Sequence, residues 1–422
     1  MELDDDAVER VAREFEDIDL GDSRRTRRAV TVAGAMAKHP RESLPSALGT
    51  DGELQAAYRL VNNEQVDFDD LLAGHRDNSV DRAREAGSVL VLHDTTVCVY
   101  EHADPKEIGY LPTGKAGIFV HTALVVDAHR QRRPLGVVHA EPYWRERRSG
   151  RGSRKRHVGG KEAAAWKDRE SERWARGVQE CHEQLGDCPA IHVMDREGDK
   201  YELFVHMRQH GQRFVVRSRT DRRLSSVHAG QTLLEVVQSQ SLLLTREVHV
   251  SRREAPAVPR SKKLTPARPA RRAKLSVTAA AVSLRRPNNL ALTFPSTLTL
   301  NVVHVRELDP PTGQDAIDWT LLTSEPIDTA EHVQQVIDTY RYRWLTEELY
   351  KAVKTGCLHE KRLFDTRHAL LNILAFTLPI AVELLWMRAR VADEPEAPAS
   401  DIVNPTQIQV LRTMGHRPLS DK

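Results

Sequence analysis

Three acidic residues and one short helix carry the chemistry available to this sequence. Asp94 follows the apolar run "SVLVLH" and Asp195 follows "AIHVM", so each reads as the residue closing a short strand. The carboxyl ends of strands in α/β sheets are where sites are built. The third acid, Glu347, lies in "DTYRYRWLTEELYKAVKTGC", residues 338 to 357, which reads as one helix. At about 100° per residue, Tyr340, Arg343, Glu347, Lys351 and Lys354 share an arc of about 80°, with Leu345, Leu349, Ala352 and Val353 opposite. The apolar side packs on a core and turns the polar stripe outward. On an isolated helix that stripe is a solvated face laced by Arg343–Glu347 and Glu347–Lys351 pairs. Beside two strand-end aspartates it has another use. Three carboxylates are hard oxygen ligands suited to a pair of Mg²⁺ or Mn²⁺ ions. Such a pair clamps the attacking and leaving oxygens of an in-line phosphoryl displacement. Tyr340, Arg343, Lys351 and Lys354 would then hold the phosphates on either side of the cleaved bond.

The elements that must position these groups are legible around them. Residues 1–75 read as short helices, in "DDDAVERVAREF", in "RRTRRAVTVAGAMAKH" capped by Asp22 or Ser23, and in "DGELQAAYRLVNN". Apolar, β-branched runs follow, "SVLVLHD", "HTALVVDA", "PLGVVHA", "AIHVMD" and "RFVVRSR", with a helix over "ESERWARGVQECHEQL" between them. Strands alternating with helices predict an α/β core. Two basic loops interrupt it, "WRERRSGRGSRKRHVGGK" at 144–161 and the Pro-rich 251–277. The second is flanked by alternating runs that predict an antiparallel β insertion.

Composition narrows the setting. A chain of 422 residues is long enough for two or three domains. Its net charge of +2 leaves any nucleic-acid affinity to local patches. Cys98, Cys181, Cys188 and Cys357 show neither CxxC pairing nor zinc-ligand spacing, which suits reduced thiols in a cytoplasmic protein. The acidic N-terminus is unlike a signal peptide. The apolar run from Leu370 to Trp386 is broken by Asn372, Pro379 and Glu383, so a buried core helix is expected and no membrane span.

Other residues point to DNA. Arg24, Arg25 and Arg28 sit in the first turns of a helix, where the macrodipole disfavours cations and nothing local rewards them. A phosphate drawn to that helix end would. Arg217 and Arg219 alternate on one strand and share a face. Trp344 reads as packing. His93 and His192 sit deeper than the aspartates or on the opposite sheet face, and are not expected as ligands.

The spacing Tyr340, two residues, Arg343, three, Glu347, six, Lys354 resembles the Y-(2)-R-(3)-E-(6)-K signature of the insertion-sequence-four family of DDE transposases, of the Tn-five type. "DTT" at Asp94 and "DRE" at Asp195 resemble that family's first two catalytic aspartates. "LGDSRRTRR", "AAYRLVNN", "RFVVRSR", "PARRAKLSV" and "WTLLTSEPI" are similar to family segments in the same order, over residues 10 to about 390. The resemblance implies a small helical DNA-binding domain (1–75) and an RNase H-like catalytic core (76–225 and 309–390). A β-rich insertion (226–308) divides the core, and a linker and short tail (391–422) follow it. It implies a two-metal site at Asp94, Asp195 and Glu347. That site would nick, hairpin and release the ends of a mobile element and join them to target DNA. It further implies double-stranded DNA as partner (terminal inverted repeats and target), a synaptic homodimer, and a base stacked on Trp319. The tail is shorter than the family's C-terminal helical domain. The alternative expectation is therefore a truncated or domesticated relative that binds the ends, or inhibits transposition, without completing the reaction.

Overall fold

A computed structural model describes residues 3–129, 133–146, 172–250, 252, 267–393 and 409. Most of the 144–161 loop, the centre of the 251–277 loop and nearly all of the 391–422 tail lie outside the described residues. The chain forms two compact units, Met1–Ala190 with Arg343–Lys422, and Ile191–Tyr342. The first opens with α1 (Asp5–Arg13), α2 (Ser23–Lys38), α3 (Leu44–Ala47), α4 (Asp51–Val61) and α5 (Phe68–Ala86). It continues with β1 (Val89–Tyr100), α6 (Pro105–Ile108), β2 (Ala116–Asp127), β3 (Pro134–Tyr143) and α7 (Arg173–Leu185). The second holds β4 (Ala190–Met194), α8 (Tyr201–Gln209), β5 (Arg213–Arg217), α9 (Leu233–Ser239) and β6 (Leu244–Val250), then β7 (Arg271–Arg285), β8 (Thr297–Leu308), β9 (Asp318–Thr323) and α10 (Ala330–Arg341). The chain then returns to the first unit as α11 (Trp344–Lys351) and α12 (Arg367–Asp393).

In the first unit, β2 lies between β1 and β3 in an antiparallel sheet. On one face Val91, Ala123 and Val125 pack with Val80 and Ala83 of α5 and Cys181 and Leu185 of α7. The other face meets α11, where the buried Thr122 hydroxyl and the Tyr350 phenol are 2.8 Å apart. The N-terminal helices start on side-chain caps, with Asp4, Asp22, Thr50 and Asp67 each accepting a backbone N–H. Each such cap stabilises its helix by about 1 kcal/mol. These helices belong to the same unit as β1–β3. The four cysteines are free thiols, and burial pushes Cys98 and Cys357 up to about 12.

Helix α12 is long and apolar enough to cross a membrane, yet most of it is buried inside this unit. Phe376 stacks on Phe15, with centroids 4.9 Å apart. The polar residues that interrupt its apolar run have partners. Asn372 donates to the Val61 and Val66 carbonyls at 3.0 and 2.9 Å. Glu383, raised by burial, accepts from Arg10 of α1 at 2.6 Å. It is a core helix, as its sequence predicts.

The second unit contains a sheet in the order β4-β5-β9-β8-β7-β6, in which β4 and β5 are parallel and the other described pairs antiparallel. Strands β6 to β8 are antiparallel, as their alternation predicts. Together the two units make a mixed α/β fold with helices at the N-terminus.

Three local expectations need correction. Strand β1 does not close at Asp94; it runs on to Tyr100, and Asp94 pairs with Thr122 in mid-strand. Thr95, Thr96, Val97, Val99 and Tyr100 fit a pleated, half-buried strand and extend it. Strand β5 ends at Arg217, so Arg219 lies in the turn beyond it and does not alternate with Arg217 on a strand. The stretch 338–357 is not one helix. It breaks at Tyr342 and Arg343, and α11 passes into a π-helical turn, Ala352–Gly356, closed by Cys357 N–H on the Ala352 carbonyl at 2.8 Å. At the break Thr346 bonds back to the Arg343 carbonyl through both its backbone N–H (3.0 Å) and its hydroxyl (2.9 Å). Threonine back-bonding of this kind bends helices.

Candidate functional site

In the first unit, Asp94 of β1 and Glu347 of α11 meet on one guanidinium. Arg343 Nη1 donates to Asp94 Oδ2 at 3.1 Å, and Nη2 donates to Glu347 Oε1 at 2.6 Å. Asp94 Oδ2 lies 2.9 Å from the Thr346 hydroxyl, and Oδ1 accepts the Thr95 N–H at 2.7 Å. Thr346 is fully buried. The side chains of Asp94 and Arg343 are mostly shielded, whereas that of Glu347 is 41% exposed, leaving the arrangement open on one side. Beneath it burial lifts the Tyr350 phenol well above its ordinary range, so Tyr350 is a neutral floor. Sequence reasoning missed Thr346. A hydroxyl on the buried side of an otherwise apolar stripe was the available signal.

The π turn is tied to the end of β1. Lys354 lies 3.9 Å from Glu360, whose Oε1 accepts the Val99 N–H at 2.9 Å. His359 Nε2 is 2.9 Å from the Tyr100 hydroxyl, and burial pushes this imidazole down to about 3, so it is neutral. Lys351 is exposed. Trp344 is 58% exposed, which corrects the expectation that it packs. His93 lies on the α7 side of the sheet, near His121 and Trp174, facing away from Asp94. His192 is buried.

In the second unit, Asp195 directly follows β4, as expected, and caps the 3₁₀ turn Arg196–Gly198 by accepting the Glu197 N–H at 2.7 Å. Gly198 is required there, since a Cβ would stand 2.7 Å from Met194 Cβ. Asp199, also missed from sequence, anchors this loop. Its carboxylate accepts the Arg219 N–H at 2.6 Å and pairs with Arg222, which also donates to the Asp199 carbonyl at 2.9 Å. Arg217 donates to the Asp318 carbonyl at 2.8 Å. Tyr340 is buried and meets Trp319 edge-to-face at 5.4 Å. It therefore does not stand on an exposed stripe with Lys351.

The structure thus brings Asp94, Arg343 and Glu347 together and sets Asp195, Trp319 and Tyr340 in the other unit. Among the described residues no three acidic, histidine or cysteine side chains form a ready metal cluster. The chemistry of the pair at Asp94 still suits a divalent cation: two hard carboxylates face one positive charge and share it.

At the N-terminus, Arg24 pairs with the capping Asp22 at 2.8 Å and holds that carboxyl down at about 2. A local reward for a cation therefore exists there, contrary to the sequence expectation. Arg25 bridges the Leu20 carbonyl (2.9 Å) and Gln65 (2.6 Å), and Arg28 is half-buried.

Residues 9–66, spanning α1 to the segment before α5, match the family model described as Transposase DNA-binding. The structure of a piggyBac transposase synaptic complex with hairpin DNA aligns over 87% of this chain at 13% identity, with a TM-score of 0.36. The chain spans 66% of the length of that one.

Proposed function

We propose that this chain is a cut-and-paste DNA transposase of the insertion-sequence-four type, with an RNase H-like core. One observation carries the reading of the site: Asp94 and Glu347, remote in sequence, converge on Arg343. The match of residues 9–66 supports the transposase class. Asp94, Asp195 and Glu347 would hold two Mg²⁺ or Mn²⁺ ions, which when bound polarise the phosphoryl group and activate water. The remaining roles belong to the chain. Thr346 and the Thr95 N–H fix the Asp94 carboxylate, Tyr350 keeps water from beneath it, and Lys351 and Lys354 offer charge to phosphates.

The experiment that tests this reading is a denaturing gel of DNA from both flanks of the gene, incubated with the protein and Mn²⁺. Specific nicks at the junctions are expected, followed by hairpins. Flanks left intact would refute it. Trp319, half-buried against Tyr340, and the exposed Trp344 are the aromatic faces available to a displaced base; such stacking contributes about 1–3 kcal/mol per base. Trp319→Ala and Trp344→Ala are therefore expected to allow nicking and accumulate nicked over hairpin product. Equal loss of both products, with a lowered melting temperature, would make either residue structural.

The N-terminal helices would hold the ends. Arg24, exposed and paired among the described residues with Asp22, can exchange that partner for a phosphate. Arg24→Ala should weaken end binding and flatten its salt dependence by about one phosphate contact. An unchanged slope would assign Arg24 to capping alone.

A further inference from the structure

We propose that Arg343 is a built-in counter-ion of the site, one that must leave Asp94 and Glu347 before a divalent cation can enter between them. Its release frees the guanidinium to take a DNA phosphate. The inference rests on the reading that these two acids are cation ligands. Arg343 spans both with its two terminal nitrogens, at 3.1 and 2.6 Å, the fork geometry that suits a planar guanidinium and that an ammonium cannot reproduce. The oxygens it occupies are Asp94 Oδ2 and Glu347 Oε1, while Asp94 Oδ1 accepts the Thr95 N–H. A cation bridging the two acids at the oxygens Arg343 holds would stand against its positive charge, so the two modes oppose each other. Arg343 sits at the break before α11, where its side chain can swing without moving a helix axis. The phosphate that receives it is drawn by the same charge that held the acids.

That opposition makes cation and phosphate cooperative. Whatever draws Arg343 away raises cation affinity, and the cation raises affinity for that group by the same factor. The test is Mn²⁺ binding to the full chain, followed by electron paramagnetic resonance of the free ion, with no cleavage measured. Arg343→Gln is expected to bind Mn²⁺ at least about tenfold more tightly than wild type, and Arg343→Lys to fall between. Adding a short DNA duplex should tighten Mn²⁺ binding to wild type and leave Arg343→Gln little changed. Unchanged or weaker Mn²⁺ binding by Arg343→Gln with a native circular dichroism spectrum overturns the proposal. If that variant does not fold, an Arg343→Lys affinity no higher than wild type overturns it equally. The double variant Asp94→Asn/Glu347→Gln separates the two levels. If it binds Mn²⁺ like wild type, the cation site itself is misassigned. If it loses Mn²⁺ while Arg343→Gln is unchanged, the site stands and the counter-ion role falls.

Discussion

Loss of at least about a thousandfold in Mn²⁺-dependent end cleavage is the expected result of Asp94→Asn and, separately, of Glu347→Gln. A catalytic metal contributes several kcal/mol of transition-state stabilisation, and each factor of ten in rate corresponds to about 1.4 kcal/mol. Removing one anionic ligand should forfeit about 4 kcal/mol or more of that. Binding of the ends should persist, because phosphate contacts made elsewhere set position and affinity. The two variants should differ in stability. Asp94→Asn also disturbs the bonds to Thr346 and Arg343, whereas the half-exposed Glu347 has Arg343 as its one described partner. Cleavage within about tenfold of wild type in either variant would remove that residue from the site. Asp195→Asn tests the third ligand on the same gel.

Asp199→Ala is expected to destabilise the protein by about 3 kcal/mol, the low end for removing one partner of a buried ion pair. The Asp199 carboxylate is fully shielded and its partner Arg222 is 13% exposed. Without the Asp199 carboxylate the guanidinium is left beside Phe204 and the residue-199 carbonyl, with no other ion pair among the described residues, and the Arg219 N–H loses its acceptor. Asp199→Asn keeps the shape and should lose less. Urea denaturation monitored by circular dichroism measures both. A shift below about 1 kcal/mol for Asp199→Ala would mean that Arg222 finds another partner. Since Asp199 closes the turn that Asp195 opens, a loosened loop should also blur the position of Asp195.

Much of this was legible in the sequence, and the misses have physical causes. Strand β4 ends just before Asp195 and Asp22 caps α2, where pattern and cap chemistry put them, and Glu347 lies on a helix, though not on the single helix expected over 338–357. Asp94 was read as a strand end because a charge usually halts an apolar run; the β-branched residues after it outweigh that one polar position. Tyr340 was read with the wrong stripe. Val333, Val336, Ile337 and Tyr340 follow i, i+3, i+4, i+7 and form the buried face of α10, visible only in a window that starts before residue 338. The break at Arg343 contains neither Gly nor Pro, so composition does not flag it. The tie between Arg343 and two remote acids is tertiary, and no local rule reaches it.

The order of the chain has a consequence for biogenesis. The first unit is discontinuous: its N-terminal helices and β1–β3 are made early, while α11 and α12, which complete its core, follow residues 191–342. At about 5–20 residues per second, those roughly 150 residues hold the ribosome for about 8–30 s. During that interval the surfaces that will receive α12, Phe15 among them, have no partner. The second unit is contiguous and can fold as it emerges. The nascent protein therefore passes through a stage with a finished insert and an open, apolar first unit, the species for which a chaperone would compete. Arg343 and Glu347 join Asp94 only after that stage has ended.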